Sequence, residues 1–179
     1  MRLFILLILL ALQAVVPASL RAQCIGFADL LTIGAEPTAL TSPQVVTQHL
    51  TSEWSYTAPT ASSREAFWTL PAQNGAAVAA CRLMLRAQRP GQDVVFKTVQ
   101  ASCVRELRSE LKSRKLVAEP VTCPSCEAVR YKGPDFEATI YSQMKGDYPF
   151  VVVVHQVPAL LPGPAAKGAG AKVVLPAKL

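Results

Sequence analysis

Five cysteines are the residues of this chain best equipped for chemistry: Cys24, Cys81, Cys103, Cys123 and Cys126. Cys123-Pro124-Ser125-Cys126 is a CxxC. A redox pair with that spacing uses a helix N-terminus to lower the first thiol's pKa and make it nucleophilic. The residues that follow here, EAVRYKGPDF, read as strand and turn, so the activating dipole is missing. A zinc site needs a second ligand pair, which Cys81 and Cys103 are not spaced to provide, and haem attachment needs His where Glu127 stands. Disulfide bonding is the expected state, and a thiol–disulfide redox pair, Cys123 with Cys126, is the alternative.

Hairpin arithmetic selects one bond. If Gln88 faces Asp93 across Pro90-Gly91, paired residue numbers sum to 181, and Cys81 lies opposite Gln100. Cys103 then begins a helix close enough for a disulfide. Cys81–Cys103 is therefore the expected bond, with Cys103 to Cys123 or Cys126 as its rival. Five is odd, so Cys24, near the start of the exported chain, is the candidate for an unpaired thiol.

The two histidines, His49 and His155, have no Ser, Cys or Asp nearby in sequence that completes a triad. Both are expected in core or rim positions. There is no nucleophile elbow, P-loop, zinc-protease motif or dinucleotide fingerprint. The twelve carboxylates are scattered; Glu106 and Glu110 share a helix face with basic neighbours, and Glu110 precedes Arg114 at the spacing of an ion pair. The expectation is a protein without catalytic site, cofactor or metal. A hydrolase would require a pocket that gathers His49 or His155 with carboxylates from distant segments, an arrangement linear sequence does not display. Trp54, Tyr56, Phe67 and Trp68 have two readings, a stacking platform for a ligand or a helix–sheet core, of which the core is preferred.

Elements that position these residues follow from periodicity. Helices are expected over Phe27 to Ile33, from Ser42-Pro43 to near Thr51 with His49 on it, and over Ser102 to Lys115. The last carries an apolar stripe of Val104, Leu107 and Leu111 with Cys103 at its edge. Ser42 is a good N-cap and Pro43 suits the first helical position. Strands are expected at Trp54–Tyr56, Ala66–Leu70, Ala77–Gln88, Asp93–Val99, Val117–Thr122, Glu127–Tyr131, Phe136–Met144 and Pro149–Gln156. Asn74-Gly75, Pro90-Gly91, Gly133-Pro134 and Gly146-Asp147 mark the turns. The result is an α+β fold: an antiparallel sheet built from β-hairpins, with two or three helices on one face.

Leu83–Gln100 and Thr139–Gln156 align without gaps at an offset of 56 residues. An internal duplication with repeats over 23–100 and 101–156 is one explanation, and shared hairpin grammar is the other. The helix–helix–meander order, with Trp54-Ser55-Tyr56 opening the first strand, resembles the beta-lactamase inhibitor protein fold and the small outer-membrane assembly lipoproteins. That resemblance implies a tandem helix–meander build over the whole core, and no functional residues come with it.

The ends have their own character. Arg2, the apolar run Leu3–Leu12 and small residues up to Ala22 form the three-part pattern of a secretory signal peptide. Ten apolar residues are too few to cross a bilayer, and Gln23 before Cys24 is unlike a lipoprotein signal. Residues 157–179 read as a flexible Ala/Gly/Pro/Lys tail. One domain, 23–156, remains. The formal charge of +6 comes from 18 bases and 12 acids. Arg2, Arg21, Lys167, Lys172 and Lys178 lie at the ends and all acids lie in the core, so the domain carries 13 bases against 12 acids, or +1. Nucleic acid is disfavoured as a partner. The composition, rich in alanine and proline, fits a GC-rich bacterial source. The expected role is a secreted or periplasmic, non-enzymatic binding or envelope-associated module, meeting another protein or envelope component through its sheet face, with no membrane anchor after signal cleavage.

Overall fold

The structure, a computed structural model, describes residues 24–158 except positions 62, 73 and 74. The expected leader, all but the first two residues of the expected tail, and Asn74 of the Asn74-Gly75 turn lie outside the described residues. Three helices and eight strands follow in the order α1 (Phe27–Ala35), α2 (Pro43–Thr47), β1 (Ser55–Thr57), β2 (Phe67–Leu70), β3 (Cys81–Ala87), β4 (Gln92–Thr98), α3 (Ala101–Ser113), β5 (Ala118–Val121), β6 (Glu127–Lys132), β7 (Phe136–Ser142) and β8 (Phe150–Gln156). All strands form one antiparallel sheet in the order β1-β2-β3-β4-β8-β7-β6-β5. The α+β class and helix–meander order expected from the sequence are present.

Two four-stranded meanders thus meet through their final strands. The β4–β8 seam has seven register pairs, from Gln92 opposite Gln156 to Thr98 opposite Phe150. Phe96 faces Val152 across it, the same two residues that a 56-residue offset aligns.

Alternation decides which side of the sheet becomes core. Trp68, Leu83, Val94, Phe96, Ala138, Ile140, Val152 and Val154 point to the helix side and are buried. α3 adds Cys103, Val104, Leu107 and Leu111, the stripe expected from its 3.6-residue period. Contacts put all three helices on that one face. Gln92 Nε2 donates to the carbonyls of Gly34 (2.8 Å) and Glu36 (2.9 Å), satisfying the C-terminal end of α1 from β4. Trp68 Nε1 donates to Thr47 Oγ1 at 3.0 Å below α2. Arg108 of α3 reaches Ser142 Oγ at 2.9 Å.

Four expectations change. Glu110 does not pair with Arg114; its carboxylate accepts from the Phe27 amide at 3.2 Å, supplying the negative charge an N-terminus favours, while Arg114 lies 5.3 Å over the Phe27 ring. β3 begins at Cys81, not Ala77, because the β2–β3 ladder ends where Leu70 pairs with Cys81. α2 ends at Thr47, which leaves His49 in the following turn. In the β3–β4 hairpin the register sum is 179, not 181: Ala87 pairs with Gln92, and Gln88 to Gly91 form the loop. Gly91 sets this register, since its φ of +96° strains any other residue and a Cβ there would collide with the Gln156 carbonyl.

Candidate functional site

The changed register moves Cys81. It faces Thr98 rather than Gln100, and its Sγ donates to Thr98 Oγ1 at 3.3 Å inside the core. The expected Cys81–Cys103 bond is therefore absent. Cys103 pairs instead with Cys24, with a Cα–Cα distance of 5.3 Å, joining the segment before α1 to the first turn of α3. Cys24 is thus bonded, and Cys81 is the cysteine that stays a thiol. Burial, partly offset by Thr98, pushes that thiol from its ordinary 9.0 to about 11, the reverse of what a nucleophile requires.

Cys123 and Cys126 form a disulfide with Cα atoms 5.2 Å apart. Both are half-buried in the connection between β5 and β6. The chain enters a strand after Cys126, so no helix dipole faces either sulfur.

The helix-free face of the sheet carries the acid–base groups. Register places Arg86, Asp93, His155, Glu137 and Lys132 in one row across β3, β4, β8, β7 and β6. His155 Nδ1 lies 2.8 Å from Asp93 Oδ1, and Gln88 Nε2 donates to the other Asp93 oxygen at 3.1 Å. No acid stands near His155 in sequence; Asp93 comes from 62 residues away and is adjacent only because β4 pairs with β8. A hollow of about 390 Å³, lined in part by His155, Glu137 and Asp135, opens next to the pair. No hydroxyl or thiol bonds to His155 among the described residues, so the constellation has a base and its orienting acid without a protein nucleophile.

Around this row the charges are paired. Arg86 meets Glu65 (3.2 Å), Arg130 meets Glu137 (3.1 Å) and Lys132 meets Glu119 (3.0 Å). At the opposite end of the same face, Arg82 on β3 stands directly opposite Lys97 on β4. With Lys145, Asp147, Tyr148, Met144 and Val151 they line a hollow of about 230 Å³. The Arg82 guanidinium lies 4.5 Å from the Phe67 ring centre and 5.6 Å from that of Tyr148. Burial raises the Tyr148 hydroxyl's pKa, and the Arg82 charge only partly reverses it. Of the aromatic cluster, Trp54 and Trp68 are core as expected, Tyr56 is exposed, and Phe67 serves the open face.

Among the described residues no group of three His, Cys, Asp or Glu is gathered to hold a metal, and no helix is long and apolar enough to cross a membrane. Comparison with protein-family models, with curated proteins and with solved structures finds no match to this chain.

Proposed function

We propose that this is an exported, non-enzymatic binding protein that meets an anionic envelope component through its helix-free sheet face. One observation carries the reading: ion pairs neutralise most of that face, while Arg82, Lys97 and Lys145 cluster at one end and take part in none of the three ion pairs, nor in the His155–Asp93 contact, found among the described residues. Export is supported by the N-terminal Arg2 and Leu3–Leu12 pattern and by two disulfides, which suit an oxidising compartment. Intact mass of protein recovered from expressing bacteria should correspond to a chain starting at Gln23. A common origin of the two meanders is part of the proposal, supported by the 56-residue alignment and the facing of Phe96 and Val152.

Sedimentation with isolated bacterial envelopes tests the binding face. Wild-type protein should co-sediment, and Lys97→Glu with Lys145→Glu should release it. Arg105→Glu with Lys112→Glu, an equal charge change on exposed positions of α3, should not. Equal release by both pairs, or no sedimentation of wild type, overturns the reading.

A second reading has its own observation. The His155–Asp93 pair, with a half-exposed imidazole beside a hollow, is the arrangement of a general base that activates water. Hydrolysis of an activated ester by the full chain, lost in both His155→Ala and Asp93→Asn, would place this reading first; equal rates in wild type and variants would remove it.

A further inference from the structure

We infer that the hollow between Arg82, Lys97, Lys145 and Tyr148 is a binding site for one phosphate group, free or carried on a lipid. This rests on the reading of the helix-free face as the binding surface and names the chemistry it recognises.

Three observations converge. First, Arg82 and Lys97 are directly opposite in register on neighbouring strands. Like charges so placed repel, and no carboxylate pairs with either among the described residues. An anion between them turns a repulsive contact into two attractive ones. Second, Arg82 is held in place. Its guanidinium sits by the Phe67 and Tyr148 rings, and its Nε is buried without a hydrogen-bond partner. An orphaned buried donor is costly, and a planar fork already fixed by two rings loses little freedom on meeting an oxyanion. Third, the size and charge of the hollow select the ligand. Lys145 is the third cation and Asp147 the single acid among its lining, so three positive charges and one negative leave +2. That balance matches a phosphate group better than a lone carboxylate. About 230 Å³ falls below the range of roughly 300–1,000 Å³ typical of sites that enclose a whole small molecule. It suits a head group.

Met144 and Val151 complete the lining on the β7–β8 side, giving an apolar wall beside the charges. The ester substituent of a bound phosphate would lie along that wall, away from the two strands that hold the oxygens.

Thermal unfolding of the full chain tests the site, with inorganic phosphate as probe and chloride at equal ionic strength as control. Phosphate well above its dissociation constant should raise the wild-type midpoint by about 5 °C. Lys97→Gln should lose that rise, yet unfold without phosphate at a midpoint equal to or above wild type, because the like-charge contact is gone. Arg82→Met should also lose the rise, and Arg86→Gln, on the same strand but outside the hollow, should keep it. Vesicles of phosphatidylglycerol against phosphatidylcholine separate the two sources of phosphate. Selective binding to the anionic vesicles, lost in Lys97→Gln, assigns a lipid head group; response to phosphate alone assigns a free ligand. No response to either probe, a Lys97→Gln response equal to wild type, or a lower unliganded midpoint in Lys97→Gln overturns the site. If envelope sedimentation still depends on the sheet face when both probes fail, the face stands and the phosphate site is withdrawn.

Discussion

A thiol enclosed beside Thr98 answers to burial first, and Cys81 has a measurable pH signature for that reason. The folded protein holds its proton to about pH 11, whereas an ordinary thiol releases it near 9.0. The folded pKa is the higher, so the stability this lends is complete below about pH 9 and is lost as pH rises to about 11; two units correspond to roughly 3 kcal/mol. Urea unfolding at pH 8 and pH 10.5 should show wild type losing about 2 kcal/mol more than Cys81→Ala between the two. Equal losses would mean that solvent reaches the sulfur. The same scale shows what sequence conceals. Arg82 and Lys97 share a hairpin, yet a loop placed one residue late pairs Arg82 with Val99 and hides the contact. His155 and Asp93 were further out of reach, since no local pattern states that β4 lies beside β8.

Helices and strands were largely legible because each carries its own evidence. The spacing of Val104, Leu107 and Leu111 defines α3, and Pro43 after Ser42 opens α2, irrespective of the rest of the molecule. The elements that misled are those whose limits depend on partners. Ala77 to Ala80 read as strand from their apolar character, but Leu70 opposite Cys81 ends the ladder before them. Cys24–Cys103 belongs to the same class: it depends on α1 crossing α3, with Glu110 fixing the Phe27 end. This bond spans 79 residues and the Cys123–Cys126 bond only three. In the chain-entropy account their removal costs about 4.5 and about 2 kcal/mol respectively. Calorimetry of Cys24→Ser with Cys103→Ser should therefore show the larger fall. Under mild reductant, thiol titration should find Cys123 and Cys126 released before the fully buried Cys103. The reverse order would remove burial as the controlling factor.

At the scale of the molecule, charge is separated between domain and ends. The core is close to neutral, at 13 bases against 12 acids, and three lysines lie beyond residue 158. Replacing Lys167, Lys172 and Lys178 with Gln should shift the protein to much earlier elution from a cation exchanger while its unfolding midpoint stays unchanged. A changed midpoint would show that those lysines contribute to the fold.

The strand order has a consequence for how the chain completes itself. Both outer edges are modest: β1 has three residues, and β5 contains Pro120, which offers no amide to a stranger. The long apolar edges, β4 and β8, are the ones hidden at the centre. Synthesis runs from N to C, so β4 stands bare, with Val94, Val95 and Phe96 along it, until residues 150–156 are delivered. A neighbouring chain's β8 offers the same seven-residue register. Chains cut or stalled before Phe150 keep β4 bare and have no β8 of their own to exchange, so they should aggregate through that edge, or take up β8 from a full-length chain, rather than persist as loose monomers.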